Sequence, residues 1–395
     1  MPPVDVAIIG AGPSGAWAAY SLARRGARVA LVDPTHPREK PCGGGISGRA
    51  LALVAGALDV DRLPACVIRS ARFTRASLGE SAVVPLENGG QASRGLVVAS
   101  RTEFDGLLLA AARDAGVEVV AARVTDVAAA DRGFRVTTAR SSLDAASIIG
   151  ADGANSLVRR RLARPFGRAE LSIATGHFAH GVTSDEIVIE LVASPPGYLW
   201  SFPRPTHLAI GVCAQADAGE TVAALRARAA AWIRSTGIAT RARLEPYSWP
   251  IPSLTARGFE ALTVAGPGWF LVGDAAGLVD PITREGIYYA LLSGQWAADA
   301  LSSGAADPSR RYAERVRDEI AAELARAARF KAGFFHPRFI RLMMDGLHHS
   351  ARIRAVMADL VAGQQRYAGL KWRLAKTLEA GLAWRLLRAH RDARE

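Results

Sequence analysis

Val4-Asp5-Val6-Ala7-Ile8-Ile9-Gly10-Ala11-Gly12-Pro13-Ser14-Gly15 decides the fold. The first six residues are a short apolar run of the length of a buried parallel strand. Glycines follow at Gly-x-Gly-x-x-Gly spacing, and Ala16 to Arg25 reads as a helix closed by Gly26. A second apolar run, Arg28 to Asp33, ends in an acid. Gly10 permits the tight turn, Gly12 lets the backbone approach a pyrophosphate, and Gly15 lets the helix pack on the strand. The helix N-terminus, which begins around Ser14, offers free N–H groups and partial positive charge to phosphates. Asp33 lies 18 residues after Gly15, with Pro34 beside it. A carboxylate there accepts from ribose hydroxyls and repels a 2′-phosphate, so the expected nucleotide is FAD or NAD rather than NADP.

Two later segments bear on which. Ile148-Ile149-Gly150-Ala151-Asp152-Gly153 runs from a strand into a turn, and a basic helix follows near Arg159. Trp269-Phe270-Leu271-Val272-Gly273-Asp274 is again a strand and turn, leading through Pro281 and Arg284 to Gly286, Ile287 and a helix. Asp274 at a strand end can accept from a ribityl hydroxyl. The helix that starts near Gly286 can aim its N-terminal dipole at the pyrimidine edge of a flavin. The ordered set, together with Ser100-Arg101-Thr102-Glu103-Phe104-Asp105, resembles the para-hydroxybenzoate hydroxylase branch of the glutathione-reductase-like FAD flavoproteins over about residues 4 to 300. The resemblance implies FAD as the cofactor and places Arg101 near the flavin. No second Gly-x-Gly-x-x-Gly opens another βαβ unit. NAD(P)H, if it is the reductant, would visit the flavin without a domain of its own, or another electron carrier would serve.

Lys40-Pro41-Cys42-Gly43-Gly44-Gly45 and Pro195-Pro196-Gly197-Tyr198-Leu199-Trp200-Ser201-Phe202-Pro203 are similar to motifs of the geranylgeranyl reductase family. Two departures stand out: Cys213 where the family has Gly, and Arg284 where a Gly is common. Strand alternation puts Tyr198, Trp200 and Phe202 on one face, as an aromatic wall or as ordinary core. Cys42 among glycines is expected near a ligand, for packing, flavin tuning or proton delivery. Arg284 is expected to stabilise reduced flavin or to bind an acidic substrate group. The resemblance implies a reductase of isolated C=C bonds in an isoprenoid or other large apolar substrate, with hydride from N5 of reduced FAD and a proton to the other carbon. An FAD-dependent monooxygenase, hydroxylase or halogenase-like, on a natural-product substrate is the alternative; the halogenase pattern Trp-x-Trp-x-Ile-Pro is absent. A flavoprotein relay to a quinone is a third reading, without iron–sulfur cysteines to support it.

Composition excludes much else. The 395 residues are 50% hydrophobic and 22% charged, which is globular. Three scattered cysteines, Cys42, Cys66 and Cys213, make neither a disulfide framework nor a zinc site, and the histidines have no metal-ligand spacing, so no metal is expected. The N-terminus lacks a signal-peptide pattern and no apolar run reaches membrane-spanning length, so a cytoplasmic protein is expected. The net charge of +12 is uneven: from Pro308 onward there are 19 Lys and Arg against 9 Asp and Glu. That quarter reads as helices, with Trp372, Leu374, Leu378, Leu382 and Leu386 near one face. They are expected to pack as solvated helices, or to rest peripherally on an anionic inner-membrane surface or a lipid-bearing partner. No nucleic-acid motif is present.

The expected fold is α/β: a glutathione-reductase-like Rossmann FAD domain (residues 1–70, 98–165 and 262–300), an inserted mixed-sheet substrate domain (71–97 and 166–261) and a helical basic C-terminal region (301–395).

Overall fold

The computed structural model describes residues 3–86 and 95–376. Strand Val4–Ile9 lies at the centre of an eight-stranded sheet. It pairs in parallel with Val29–Val32 on one side and Ser142–Gly150 on the other, and these pair in parallel with Glu118–Val120 and Trp269–Leu271 respectively. Val6, Ala7, Ile8 and Ile9 are all buried, as a strand covered on both faces requires. The first helix is Pro13–Ala23, three residues ahead of the sequence reading. Pro13 accounts for the shift: its fixed φ suits the first helical turn, where its missing N–H costs nothing.

A seven-stranded sheet stands against this unit, in the order Arg243–Pro252, Leu171–His180, His207–Gln215, Pro196–Pro203, Glu186–Ala193, Ser70–Arg75, Glu80–Pro85. All its pairings are antiparallel except that between Glu186–Ala193 and Ser70–Arg75. A small third sheet joins Gly45–Ser47, Leu96–Ala99 and Ala65–Val67. It fixes the far end of the Lys40–Gly45 loop between the two large sheets.

The C-terminal helices Pro337–His349, Ala351–Val361 and Tyr367–Ala375 close one face of the seven-stranded sheet. Met343, Leu347, Val356, Met357, Leu360 and Leu370 pack there with Phe73, Val84 and Ile187. Their burial makes these helices part of the body. The single apolar face expected across Trp372 and Leu374 is not what the chain adopts. Trp372 is 74% exposed, whereas Leu374 packs on the core. Leu378, Leu382 and Leu386 lie outside the described residues. No helix among the described residues is long and apolar enough to cross a membrane.

Candidate functional site

One cavity of about 1050 Å³ runs from the first strand–helix turn to the seven-stranded sheet and the C-terminal helices. Gly10, Gly12, Ser14, Asp33, Pro34, Asp152 and Gly153 line one end; Tyr198, Trp200, Phe202, Arg284, Phe334 and Met357 line the other. Cys42, Arg101, Asp274, Gly286 and Ile287 line it as well. Gly15 and Gly273 are not in the lining and act through packing.

The turn has the shape a dinucleotide requires. Gly10 has φ of 102°, and a Cβ there would lie 2.4 Å from the Ala151 carbonyl oxygen. A Cβ on Gly15 would lie 1.9 Å from the Gly10 oxygen. Gly12, by contrast, faces open space with only His36 Nε2 at 3.8 Å. Helix Pro13–Ala23 has neither a side-chain cap nor an acid in its first turn, which leaves its N–H groups for an anion. Asp152 caps the helix Leu157–Leu162 through Oδ2, accepting from the Leu157 and Val158 amides, while its Oδ1 is buried without a partner. Burial raises the Asp152 carboxyl above its ordinary range. A cradle that a methyl group would fill, an uncapped helix N-terminus and an orphaned acceptor together fit FAD.

Asp33 is held from several sides. Its Oδ2 accepts from the Ala11 amide at 2.9 Å and meets His36 Nδ1 at 2.9 Å; its Oδ1 accepts from the Thr35 and His36 amides. Burial alone would raise its carboxyl, but His36 and the amides hold it well below the usual range. Asp274 accepts from Lys40 Nζ at 3.0 Å. Helix Ile287–Leu301 begins at Gly286 with no side-chain cap.

Arg101 is buried and makes two bonds to Asp105, at 2.9 and 2.7 Å, while its third nitrogen faces Cys42 Sγ at 3.7 Å. Burying that charge is tolerable because the carboxylate is paired two-pronged with it. Arg204, fully buried, donates to Glu39 and, at 2.7 Å, to the Cys42 carbonyl. His207 closes the cluster with Nε2 3.4 Å from Arg204.

The aromatic wall is built by strand register. Tyr198 donates to the Thr283 carbonyl at 3.0 Å, and its ring lies 5.6 Å from that of Trp200. Gly211 sits opposite Trp200, where a Cβ would lie 2.5 Å from the indole. The apolar end adds Phe73, Ile187, Ile189, Leu191, Leu360 and Val361. Arg284 has φ of 62°, the one non-glycine with positive φ among the described residues. Its guanidinium donates to Ser253 Oγ.

The structure therefore brings the dinucleotide residues, Cys42, Arg101, the aromatic wall and Arg284 around one cavity. Sequence reasoning missed Glu39, Arg204, His207 and His36. His36 could have been suspected from its place three residues after Asp33. Arg204 could not, because its partners come from a loop more than 160 residues away.

Comparison with known proteins agrees with the geometry. Residues 3–292 match the FAD binding domain family. A menaquinone reductase of Mycolicibacterium smegmatis is 30% identical, over 96% of this chain and 97% of its own. A geranylgeranyl diphosphate reductase of Rhodobacter capsulatus is 30% identical, over 88% of this chain and 85% of its own. A solved geranylgeranyl bacteriochlorophyll reductase-like protein from Thermoplasma acidophilum superposes with a TM-score of 0.78 at 21% identity, covering 95% of this chain and 99% of its own. A flavin-dependent brominase superposes with a TM-score of 0.69 at 19% identity, covering 95% of this chain and 98% of its own, which shows a shared fold.

Proposed function

Because the chain belongs to the geranylgeranyl reductase family of FAD-dependent oxidoreductases, we propose that it reduces an isolated C=C bond in the polyprenyl chain of a lipid-like substrate. The observation that carries this reading is the continuity of the cavity from the dinucleotide turn to an aromatic wall and an apolar lobe. Gly10, Gly12, Ser14, Gly15, Asp33, Pro34, Arg101, Asp152, Gly153, Gly273, Asp274, Gly286 and Ile287 would hold FAD. Bound there, the flavin supplies the two-electron chemistry that no side chain can.

The remaining work falls to the protein. An unactivated alkene has no hydrogen-bonding handle, so shape must orient it. Tyr198, Trp200 and Phe202 are rigid surfaces for that purpose, the first anchored through Thr283 and the last seated on the glycine loop. Phe334, at the end of helix Ala322–Phe334, and Met357, Leu360 and Val361 of helix Ala351–Val361 keep water from the apolar lobe. Cys42 stands between Arg101 and Arg204 at the cavity wall, where a thiol can pass a proton to a product carbon. The partition expected from sequence is kept as our assignment: residues 1–70, 98–165 and 262–300 for the flavin, 71–97 and 166–261 for the substrate, and the region from 301 as the C-terminal part, whose described residues 301–376 supply helical cover. The reductant is NAD(P)H or another carrier visiting the flavin. The basic C-terminal region is proposed to touch an anionic inner-membrane surface from the cytoplasmic side, where a lipid substrate resides.

Anaerobic incubation of the reduced, FAD-loaded protein with a C20 prenyl alcohol tests the reading. Mass spectrometry should show product with the elements of H₂ added; product formed only in air and carrying labelled oxygen would contradict it.

A further inference from the structure

We propose that Arg284, backed by Lys331, makes the Thr283–Gly286 stretch of the cavity wall a receptor for one compact oxyanion on the substrate: a carboxylate or a phosphate monoester borne by the apolar chain. The inference rests on the function proposed above and adds the chemistry of the head group.

Three observations meet at this place. First, Arg284 lines the cavity beside Tyr198, Cys213, Trp249 and Ile251, at the end away from the Asp33 side. Second, its charge has no partner of opposite sign among the described residues. One terminal nitrogen donates to Ser253 Oγ, and Nε and the other terminal nitrogen are buried without a partner among the described residues. Lys331 Nζ donates to the same Ser253 Oγ at 2.8 Å and to Gln215 Oε1 at 2.6 Å. Two cations thus share one neutral hydroxyl, and no ion pair to either is present among the described residues. Burial, with Arg284 next in weight, pushes the Lys331 ammonium down to about 7. Third, Arg284 holds a left-handed φ that glycine would adopt without strain. A strained arginine whose buried donors go unused is where a ligand contact is to be sought.

Asp217 acts on Lys331 only through space, without an ion pair among the described residues, and the acids beside Arg284 are committed elsewhere. Asp280 accepts from the Ile282 and Thr283 amides and the Tyr367 hydroxyl. Glu285 pairs with Arg49 and Ser47, and Asp274 with Lys40. An incoming oxyanion would therefore be the missing counter-charge. A guanidinium edge with two unused donors matches two oxygens of one carboxylate or phosphate. The apolar lobe takes the chain that such a head group carries.

Isothermal titration of the oxidised, FAD-loaded protein tests this without turnover. The probes are a C20 isoprenoid carboxylic acid, the corresponding monophosphate and the corresponding alcohol. The acid or the monophosphate, or both, should bind roughly tenfold or more tightly than the alcohol. The tighter of the two identifies the head group. Arg284→Gly, which relieves the backbone strain, should keep the alcohol affinity and abolish the preference. Lys331→Met should reduce it. Equal binding of acid, monophosphate and alcohol to the unaltered protein overturns the inference and leaves the polyprenyl reading standing. So does an anion preference that survives Arg284→Gly. Failure of all three probes to bind overturns the polyprenyl reading itself, and the inference with it.

Discussion

The ring of Phe202 lies so close to the backbone of Gly43 that a methyl group on the glycine would sit 3.0 Å from it, with Gly45 at 3.2 Å on the same ring. The two motifs that looked separate in sequence, the glycine loop and the aromatic strand, are therefore one surface. Gly44 completes the contact, because a Cβ there would meet the Ala99 carbonyl oxygen at 2.5 Å.

Gly43→Ala should push Phe202 out of its seat without touching the dinucleotide turn. The expected result is a roughly tenfold loss in affinity for a C20 prenyl alcohol, measured by calorimetry, with FAD content unchanged and a stability loss of about 1–3 kcal/mol in urea.

Gly10→Ala should act at the other end. The new Cβ meets Ala151 at a φ that alanine resists. The purified variant should lose most of its bound FAD while Gly43→Ala keeps it, which absorbance after gel filtration distinguishes.

Removing Arg204 should loosen the loop that carries Cys42. Arg204→Met deletes the bonds to Glu39 and to the Cys42 carbonyl and leaves Glu39 without its cation. Breaking a fully buried pair from one side costs about 3 kcal/mol or more, and because Glu39 is 28% exposed and keeps its bonds from Ser100 and the Arg101 amide, the loss here should fall below that. Chemical denaturation of Arg204→Met, Glu39→Gln and the double variant should show the double costing less than the sum.

Acid should destabilise the protein through His207. Burial, with Arg204 next in weight, pushes its imidazole down to about 4. Between about pH 6.5 and 4 the unfolded chain takes up a proton that the folded His207 refuses, so stability falls as pH falls through that window and is unaffected by this group above it. The contribution is up to about 3 kcal/mol. His207→Gln should flatten the urea midpoint against pH between 4 and 6.5; an unchanged profile would contradict the assignment.

The dinucleotide half of the site was legible because its physics is local. A turn, a close approach and a helix N-terminus need particular residues at fixed spacing, and Gly10 to Asp33 supplies them within one βαβ unit. Tyr198, Trp200 and Phe202 were legible as a face because strand alternation is also local. What alternation could not say is whether that face met a cavity or a core, since this depends on how the second sheet stands against the first. Arg204 and His207 were illegible for the same reason: an ordinary-looking Pro203-Arg204-Pro205-Thr206-His207 turn becomes a buried charge cluster only when the Glu39–Cys42 loop folds onto it. The C-terminal helices were misread in part, because charge count says nothing about which apolar side chains face inward; Leu374 does and Trp372 does not.

The most direct test of the account is the stoichiometry of one turnover. The FAD-loaded protein, reduced and kept free of oxygen, is mixed with a C20 prenyl alcohol, and flavin absorbance is followed while product is quantified. The account predicts that the oxidised-flavin spectrum returns with one C=C bond saturated per flavin. Flavin that stays reduced until air is admitted, with the alkene recovered intact, would contradict it.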